Sequence, residues 1–364
     1  METKLARRTL LTASAAGLVA AAAPLRARAR EAKKLKVALS NSFIGNKWRI
    51  EMENLFKAAL QMEPYKSEVE GSWFNSGNNV TEESQQISGL IAERVDAIIM
   101  DAASPTGLNG IVEQAGKRGI LVVSFDNVVT APSSIRINFD QTVVGTKMAQ
   151  FLVEKLNGHG NVIMVTGVPG TYDDSARNKA ADAVWKQHPG IKVVGDYTGM
   201  WDSATAQRNT AAILPSLPKV DGIWCQAGAD GVLKAFIDAK RVPLPPTAGE
   251  AGNGLRKFMS PEGYMGQHVD GISIGTPPYL VLVALEMARR ILQKTYPRKD
   301  ITVPPPVVTN DMIKVGETVF PDLPDSFFAD FTDFGPNATL KICVDAALKG
   351  TPCPGRLVVH LPKV

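Results

Sequence analysis

Short runs of β-type residues recur along this chain at one per 25 to 35 residues, each followed by an amphipathic stretch. That recurrence restricts the fold more than any other feature, because it is the spacing of βαβ units. Residues 35–40 read as a strand, and Trp48, Met52, Leu55, Phe56, Ala59 and Leu60 follow at helical spacing. Strand-like runs return at 69–74, 95–100 and 120–125, separated by helical patterns carrying Ile87, Leu90 and Ile91, then Ile111, Val112 and Ala115. After a run at 135–139 the pattern restarts, with strands at 162–166, 192–197 and 222–226 and helices at 143–156, 177–186, 204–214 and 232–239. A longer helix over 278–292 opens on Pro278, whose missing N–H costs nothing in a first turn. Parallel strands covered by helices on both faces need such short, nearly continuous apolar runs. Two successive series with a join near Asn138 predict two doubly wound α/β domains side by side. The length of 364 residues agrees, since a single core stops growing near about 250 residues.

The formal charge of +4, from 40 basic and 36 acidic residues, is confined to one end. The first 29 positions hold five basic residues (Lys4, Arg7, Arg8, Arg26 and Arg28) and one acid (Glu2), which leaves 35 of each sign elsewhere. A neutral body gives poor support to nucleic-acid or polybasic membrane binding, so no nucleic-acid partner is expected. The same end carries Arg7-Arg8-Thr9-Leu10-Leu11, an uncharged Ala-rich stretch up to Ala23, and the small-x-small pattern Ala27-Arg28-Ala29. Residues 1–29 therefore read as an export signal peptide, of either the twin-arginine or the general secretory kind. The apolar run is too short, and too interrupted by Thr12, Ser14 and Gly17, for a membrane anchor. Three cysteines fit an oxidising compartment. Cys343 and Cys353, ten residues apart in a Gly/Pro-containing tail, are either a small disulfide loop or two unrelated thiols. Cys225 ends an apolar run and reads as a buried hydrophobe. The four histidines are scattered and there is no Cys-x-x-Cys, so metal and thiol chemistry lack support. Asn337-Ala338-Thr339 matches a glycosylation sequon.

In open α/β sheets ligands bind beyond the carboxyl ends of the strands, where strand order reverses. Amides, carboxylates and large aromatics stand there. The first strand is followed by Asn41, Phe43, Asn46 and Trp48, the second by Asn75, the third by Asp101, and the fourth by Asp126 and Asn127. The second series delivers Gly167-Val-Pro-Gly-Thr171 ahead of Arg177, then Trp201, then Gln226 and Asp230, then Glu250. Such a mixture suits a neutral polyol, since carboxylates and amides bond hydroxyls while aromatic faces cover C–H surface. Each residue also has a structural reading: Asp101 and Asp126 as helix caps or turn formers, Phe43, Trp48 and Trp73 as core, Arg177 as a solvated helix residue. Glu82-Glu83 and Asp173-Asp174 sit at helix starts, where the helix dipole favours acids. No Gly-x-Gly-x-x-Gly follows the first strand, no Lys-Ser/Thr follows the Gly-rich stretch 249–254, and Gly-x-Ser-x-Gly is absent. No cofactor is expected.

An export segment, two α/β series, polar strand ends and no catalytic motif together resemble the periplasmic sugar-binding proteins of ABC importers, in particular the ribose/galactose-type (type I) group. The similarity runs from about Lys36 to Val308 and rests on 37–49 (VALSNSFIGNKWR), 95–100 (VDAIIM), 120–126 (ILVVSFD), 167–170 (GVPG) and 222–226 (GIWCQ), in that order. It implies two doubly wound, Rossmann-like parallel-sheet lobes joined by a three-stranded hinge, with crossovers near 137–141, 272–277 and 303–308. The N-terminal lobe is expected over 33–138 plus 277–304 and the C-terminal lobe over 139–276 plus 305–309. Residues 310–364 are expected to form an extension wrapping the lobes, beyond the usual family end. The resemblance also implies a ligand set. Phe43 would stack on a sugar while Asn41 and Asn46 bond its hydroxyls, and Trp48 and Asn75 belong to the same edge. Asp101 takes a polar position, and Asp126 an acidic one followed by Asn127 where an arginine is usual. Arg177 would donate to ring and hydroxyl oxygens, and Trp201 would be a second stacking aromatic. Gln226, Asp230, Glu250 (where an aspartate is usual) and Tyr279 complete the set. The implied protein is a monomeric, non-enzymatic periplasmic receptor that closes on one sugar or polyol and docks on an ABC permease. Two other readings stay open: a sensory sugar-binding protein signalling to a membrane receptor, and an exported α/β enzyme using Asp101, Asp126 and Glu250.

Overall fold

A computed structural model describes residues 33–331, 340 and 342–361; the signal peptide expected over 1–29 and the sequon at Asn337 lie outside them. The first series comprises β1 (Leu35–Asn41), α1 (Lys47–Ala59), α2 (Tyr65–Glu68), β2 (Val69–Asn75), α3 (Val80–Glu93), β3 (Ala97–Asp101), α4 (Asn109–Lys117), β4 (Leu121–Phe125) and β5 (Ile135–Phe139). The second comprises α5 (Gln141–Lys155), β6 (Gly160–Thr166), α6 (Tyr172–Gln187), β7 (Ile191–Thr198), α7 (Ser203–Ile213), β8 (Gly222–Cys225), α8 (Ala229–Asp238), β9 (Thr247–Gly249), α9 (Asn253–Met259) and β10 (Gly271–Ile274). α10 (Leu280–Leu292), β11 (Ile301–Val303), β12 (Val307–Thr309) and α11 (Val344–Lys349) follow.

Two six-stranded sheets result. The first runs β2-β1-β3-β4-β5-β11 and is wholly parallel; the second runs β7-β6-β8-β9-β10-β12 and is parallel except for β12 against β10. The period-2 alternation of strands sorts the side chains into two apolar layers per sheet. In the first, Val37, Leu39, Ile99 and Val123 face α1 and α10. Ala38, Ile98, Met100 and Val122 face the layer of Ile87 and Leu90 from α3 and Val112 from α4. In the second sheet Ile163, Val165, Ile223 and Cys225 point one way, and Val162, Met164 and Trp224 the other. Full burial of each large aliphatic side chain contributes roughly 1.5–3 kcal/mol, which is why the sequence pattern and the layer assignment agree.

The chain passes from one sheet to the other three times: between β5 and α5, between β10 and α10, and between β11 and β12. These are the crossovers that the resemblance implies. One local expectation, the helix over 278–292, needs correction, and one helix was not foreseen. α10 begins at Leu280, so Pro277 and Pro278 lie in the crossover, where their carbonyls accept from Leu280 N (3.1 Å) and Val281 N (3.4 Å). The Gly-rich stretch near Gly252 and Gly254 leads into a helix, α9, whose Leu255, Phe258 and Met259 are buried. Cys225 is a buried free thiol, and Cys343 and Cys353 are bonded to each other. Beyond β12 the extension first lies on α9, where Arg256 pairs with Asp330 at 2.7 and 2.8 Å. It then reaches α1, where Asn54 Nδ2 donates to the Ala347 carbonyl (2.8 Å) in α11. Among the described residues no helix is long and apolar enough to cross a membrane.

Candidate functional site

Strand order reverses between β1 and β3 in the first sheet and between β6 and β8 in the second, so crevices form at the carboxyl ends of those strands. A small cavity lies there, lined by Asn46, Trp48, Arg49 and Asp126 from the first lobe and by Asp173, Arg177, Trp201 and Glu250 from the second. Thr276 from the second crossover and Phe328 from the extension complete its wall.

On the first lobe, Asn46 is extended and caps α1, its side-chain oxygen accepting from Arg49 N at 3.0 Å. This cap starts the helix so that Trp48 and Arg49 fall in its first turn. The Trp48 indole N–H donates to the Thr276 carbonyl (2.5 Å), tying that turn to the crossover. Arg49 is sealed from solvent, paired with Asp101 at 2.7 Å and bonded to the Asn41 amide oxygen, with its guanidinium carbon 4.4 Å from the centre of the Phe43 ring. Asn41 is held in turn by Asn75 (2.6 Å). Thus Asn41, Phe43, Asn75 and Asp101, all expected to touch ligand, are gathered around Arg49 and are not among the residues lining the cavity. Burial pushes the Asp101 carboxyl up, against the pull of Arg49. Asn127 bridges Asp101 (3.1 Å) and Asp126 (3.0 Å) through its amide nitrogen, and so orients Asp126 without lining the cavity. Asp126 itself adopts φ 56°, a left-handed turn that short polar side chains tolerate.

On the second lobe Arg177 is the hub. Its Nε donates to Gln141 (2.8 Å), Nη1 pairs with Glu250 (3.0 Å), and Nη2 reaches Asp173 (3.4 Å) and the Thr276 hydroxyl (3.3 Å). Burial works against this charge, and Glu250, Asp173 and Asp126 more than offset it. Burial likewise pushes Glu250 up while Arg177 pulls it down. Trp201 donates from its indole to Gln226 (2.8 Å), and the Gln226 amide donates to Asp174 (3.0 Å) and Asn178 (2.7 Å), so Gln226 positions Trp201 from behind. Gly167 is required there: a Cβ would stand 2.1 Å from the Trp201 indole nitrogen. Asp230 faces away, held by Ser203 (2.6 Å) and Lys234 (3.0 Å). Tyr279 is packed in the core of the first lobe.

The lobes meet at Asp126 and Asp173. Burial raises both carboxyls, Asp173 to about 7 and Asp126 well above the usual range, and their mutual charge adds to the rise in Asp126. Four lining residues escaped sequence reasoning. Arg49 and Asp173 had signals, the one beside Trp48 in the helix start and the other four residues before Arg177. Thr276 and Phe328 had none. The wall as a whole offers carboxylate acceptors, two multiply held guanidinium groups and three aromatic rings. Among the described residues no group of acids, histidines or cysteines could hold a metal ion.

Residues 37–295 match the family model described as a periplasmic binding protein domain. The xylitol-binding protein of Mycolicibacterium smegmatis is 27% identical over 181 residues, covering 49% of this chain and 52% of that protein. The D-allose-binding periplasmic protein of Escherichia coli is 26% identical over 194 residues, 50% of this chain and 62% of that one. The chain thus spans little more than half the length of these curated relatives. A solved ABC transporter solute binding protein from Thermobispora bispora superposes with a TM-score of 0.68 at 30% identity, covering 76% of this chain and 85% of that one.

Proposed function

The chain belongs to the periplasmic binding protein domain family, and on that premise we propose that it is an exported receptor for one monosaccharide or related polyol. It holds the ligand between its lobes and presents it, as a monomer, to the membrane permease of an ABC importer. The observation that carries this reading is the cavity wall. Asp126, Asp173 and Glu250 accept hydroxyl hydrogens, Arg177 donates to oxygens, and Trp48 and Trp201 offer apolar faces. Binding of xylitol and D-allose by the two relatives supports a small polyhydroxylated ligand. A binding rather than a catalytic role is supported by the family match and by relatives that are themselves binding proteins. Closure between lobes excludes water, so each buried hydroxyl needs a partner and a missing partner discriminates strongly.

Thermal unfolding with a panel of pentitols, hexitols, pentoses and hexoses tests the reading. A ligand present at 100 times its Kd stabilises by about 2.7 kcal/mol, which is a shift of several degrees. Asp126→Asn is expected to abolish the shift. No stabilisation by any member, or recovery of a chemically altered ligand, would overturn the receptor reading.

A further inference from the structure

The family match ends at residue 295, yet Phe328 stands in the cavity wall. Its segment is fixed to the second lobe by a short ladder: Gly254 N donates to the Asp325 carbonyl (2.9 Å), Asn253 N to the Phe327 carbonyl (2.8 Å), and Ala329 N to the Ala251 carbonyl (2.9 Å). The Asp330–Arg256 pair, both side chains fully buried, locks the same segment from below. On the opposite side Phe328 N donates to Glu51 in α1 of the first lobe at 2.9 Å. The ring is therefore held in place by both lobes and is only 6% exposed. A phenyl ring has no donor or acceptor, so at this position it can only cover C–H surface and occupy space that a longer ligand would need.

We propose that the C-terminal extension completes the ligand site, with Phe328 as the wall that limits the cleft to compact ligands; this rests on the receptor reading above. Specificity then resides partly in a segment outside the matched family domain. A first test needs no ligand. In a Trp73→Phe background, which removes the 41%-exposed tryptophan, the change in acrylamide quenching of the unliganded protein reports access to Trp48 and Trp201 over the common background of Trp185 and Trp224, which lie away from Phe328 in the second lobe. Phe328→Ala is expected to raise the quenching constant at least twofold, and unchanged quenching would overturn the proposal. A second test is calorimetric titration of full-length protein with the sugar and polyol panel plus disaccharides. Phe328→Ala is expected to weaken the compact ligand at least tenfold and to narrow its advantage over disaccharides; an unchanged preference would overturn the proposal. Should Phe328→Ala fail to fold, Phe328→Leu carries both comparisons, with smaller changes in the same directions expected. If the parent protein binds no panel member the receptor reading fails, and quenching alone decides whether Phe328 is the wall.

Discussion

Arg177 binds four partners while only 2% exposed, and two of them, Asp173 and Glu250, are themselves buried carboxylates. Removing the guanidinium strands those charges. Truncating one partner of a buried ionic group typically costs about 3–5 kcal/mol, because the remaining charge has nowhere to go. Arg177→Ala is therefore expected to lose stability of about that size in urea denaturation and to lose ligand binding as well. Arg177→Lys keeps one charge but not the fork, and should fall between. An unchanged denaturation midpoint for Arg177→Ala would refute this account. The same residue shows what the sequence could disclose. Periodicity located the strand ends, the strand-end rule then pointed to Asn46, Trp48, Asp126, Trp201 and Glu250, and the family resemblance added Arg177, all of which line the cavity. Neither could tell these from Asn41, Phe43, Asp101, Asn127 and Gln226 at the same ends. Which way a strand-end side chain turns depends on local backbone, such as φ 56° at Asp126, and on partners distant in sequence, such as Arg49 for Asp101.

At the scale of elements, the second crossover is where extension and hinge touch. A Cβ on Gly275 would lie 2.0 Å from Asp330 Oδ2 and 3.1 Å from Pro306 Cγ. Gly275→Ala must then displace Asp330 from Arg256 or spread two crossovers. A loss of about 3–5 kcal/mol in chemical denaturation is expected, the scale of a broken buried pair. Gly89→Ala in α3 provides the opposite sign: nothing lies within 4 Å of the added carbon, so helix propensity should raise stability by about 0.5–1 kcal/mol. Equal effects at the two sites would show that the close approach of Asp330 has no energetic weight. The helices were legible because each buries one face, and the central strands because burial on both faces leaves short continuous apolar runs. α9 was not, since Gly252 and Gly254 interrupt its pattern. Gly254 is there for packing: a Cβ would stand 2.5 Å from the Asp230 Cβ and 2.8 Å from the Asp325 Cβ, where the extension lies on α9.

For the whole molecule, on the proposed receptor function, the balance between open and closed lobes depends on what lies between them. Asp126 from the first lobe faces Asp173 from the second, with Asp101, Arg49, Arg177 and Glu250 as the other charged groups around them. Beside this pair the Asp173 backbone N–H donates to Asn127 Oδ1 at 3.3 Å, from the second lobe to the first. Both acids are raised, chiefly by burial, so the closed arrangement binds protons more tightly than one in which the acids are hydrated. Closure without ligand is therefore favoured in acid, and that advantage declines as pH rises from the ordinary carboxylate value of 3.8 through the Asp173 value of about 7. A ligand changes the sign of the problem, because its hydroxyls give the ionised carboxylates donors in place of water. Small-angle scattering should then give a smaller radius of gyration for unliganded protein at pH 5 than at pH 8, and a compact liganded form at both. Asp173→Asn should remain compact at pH 8 without ligand, since it removes one of the two facing charges while keeping a polar group there. Identical radii for the unliganded parent at both pH values would show that the facing acids do not govern closure.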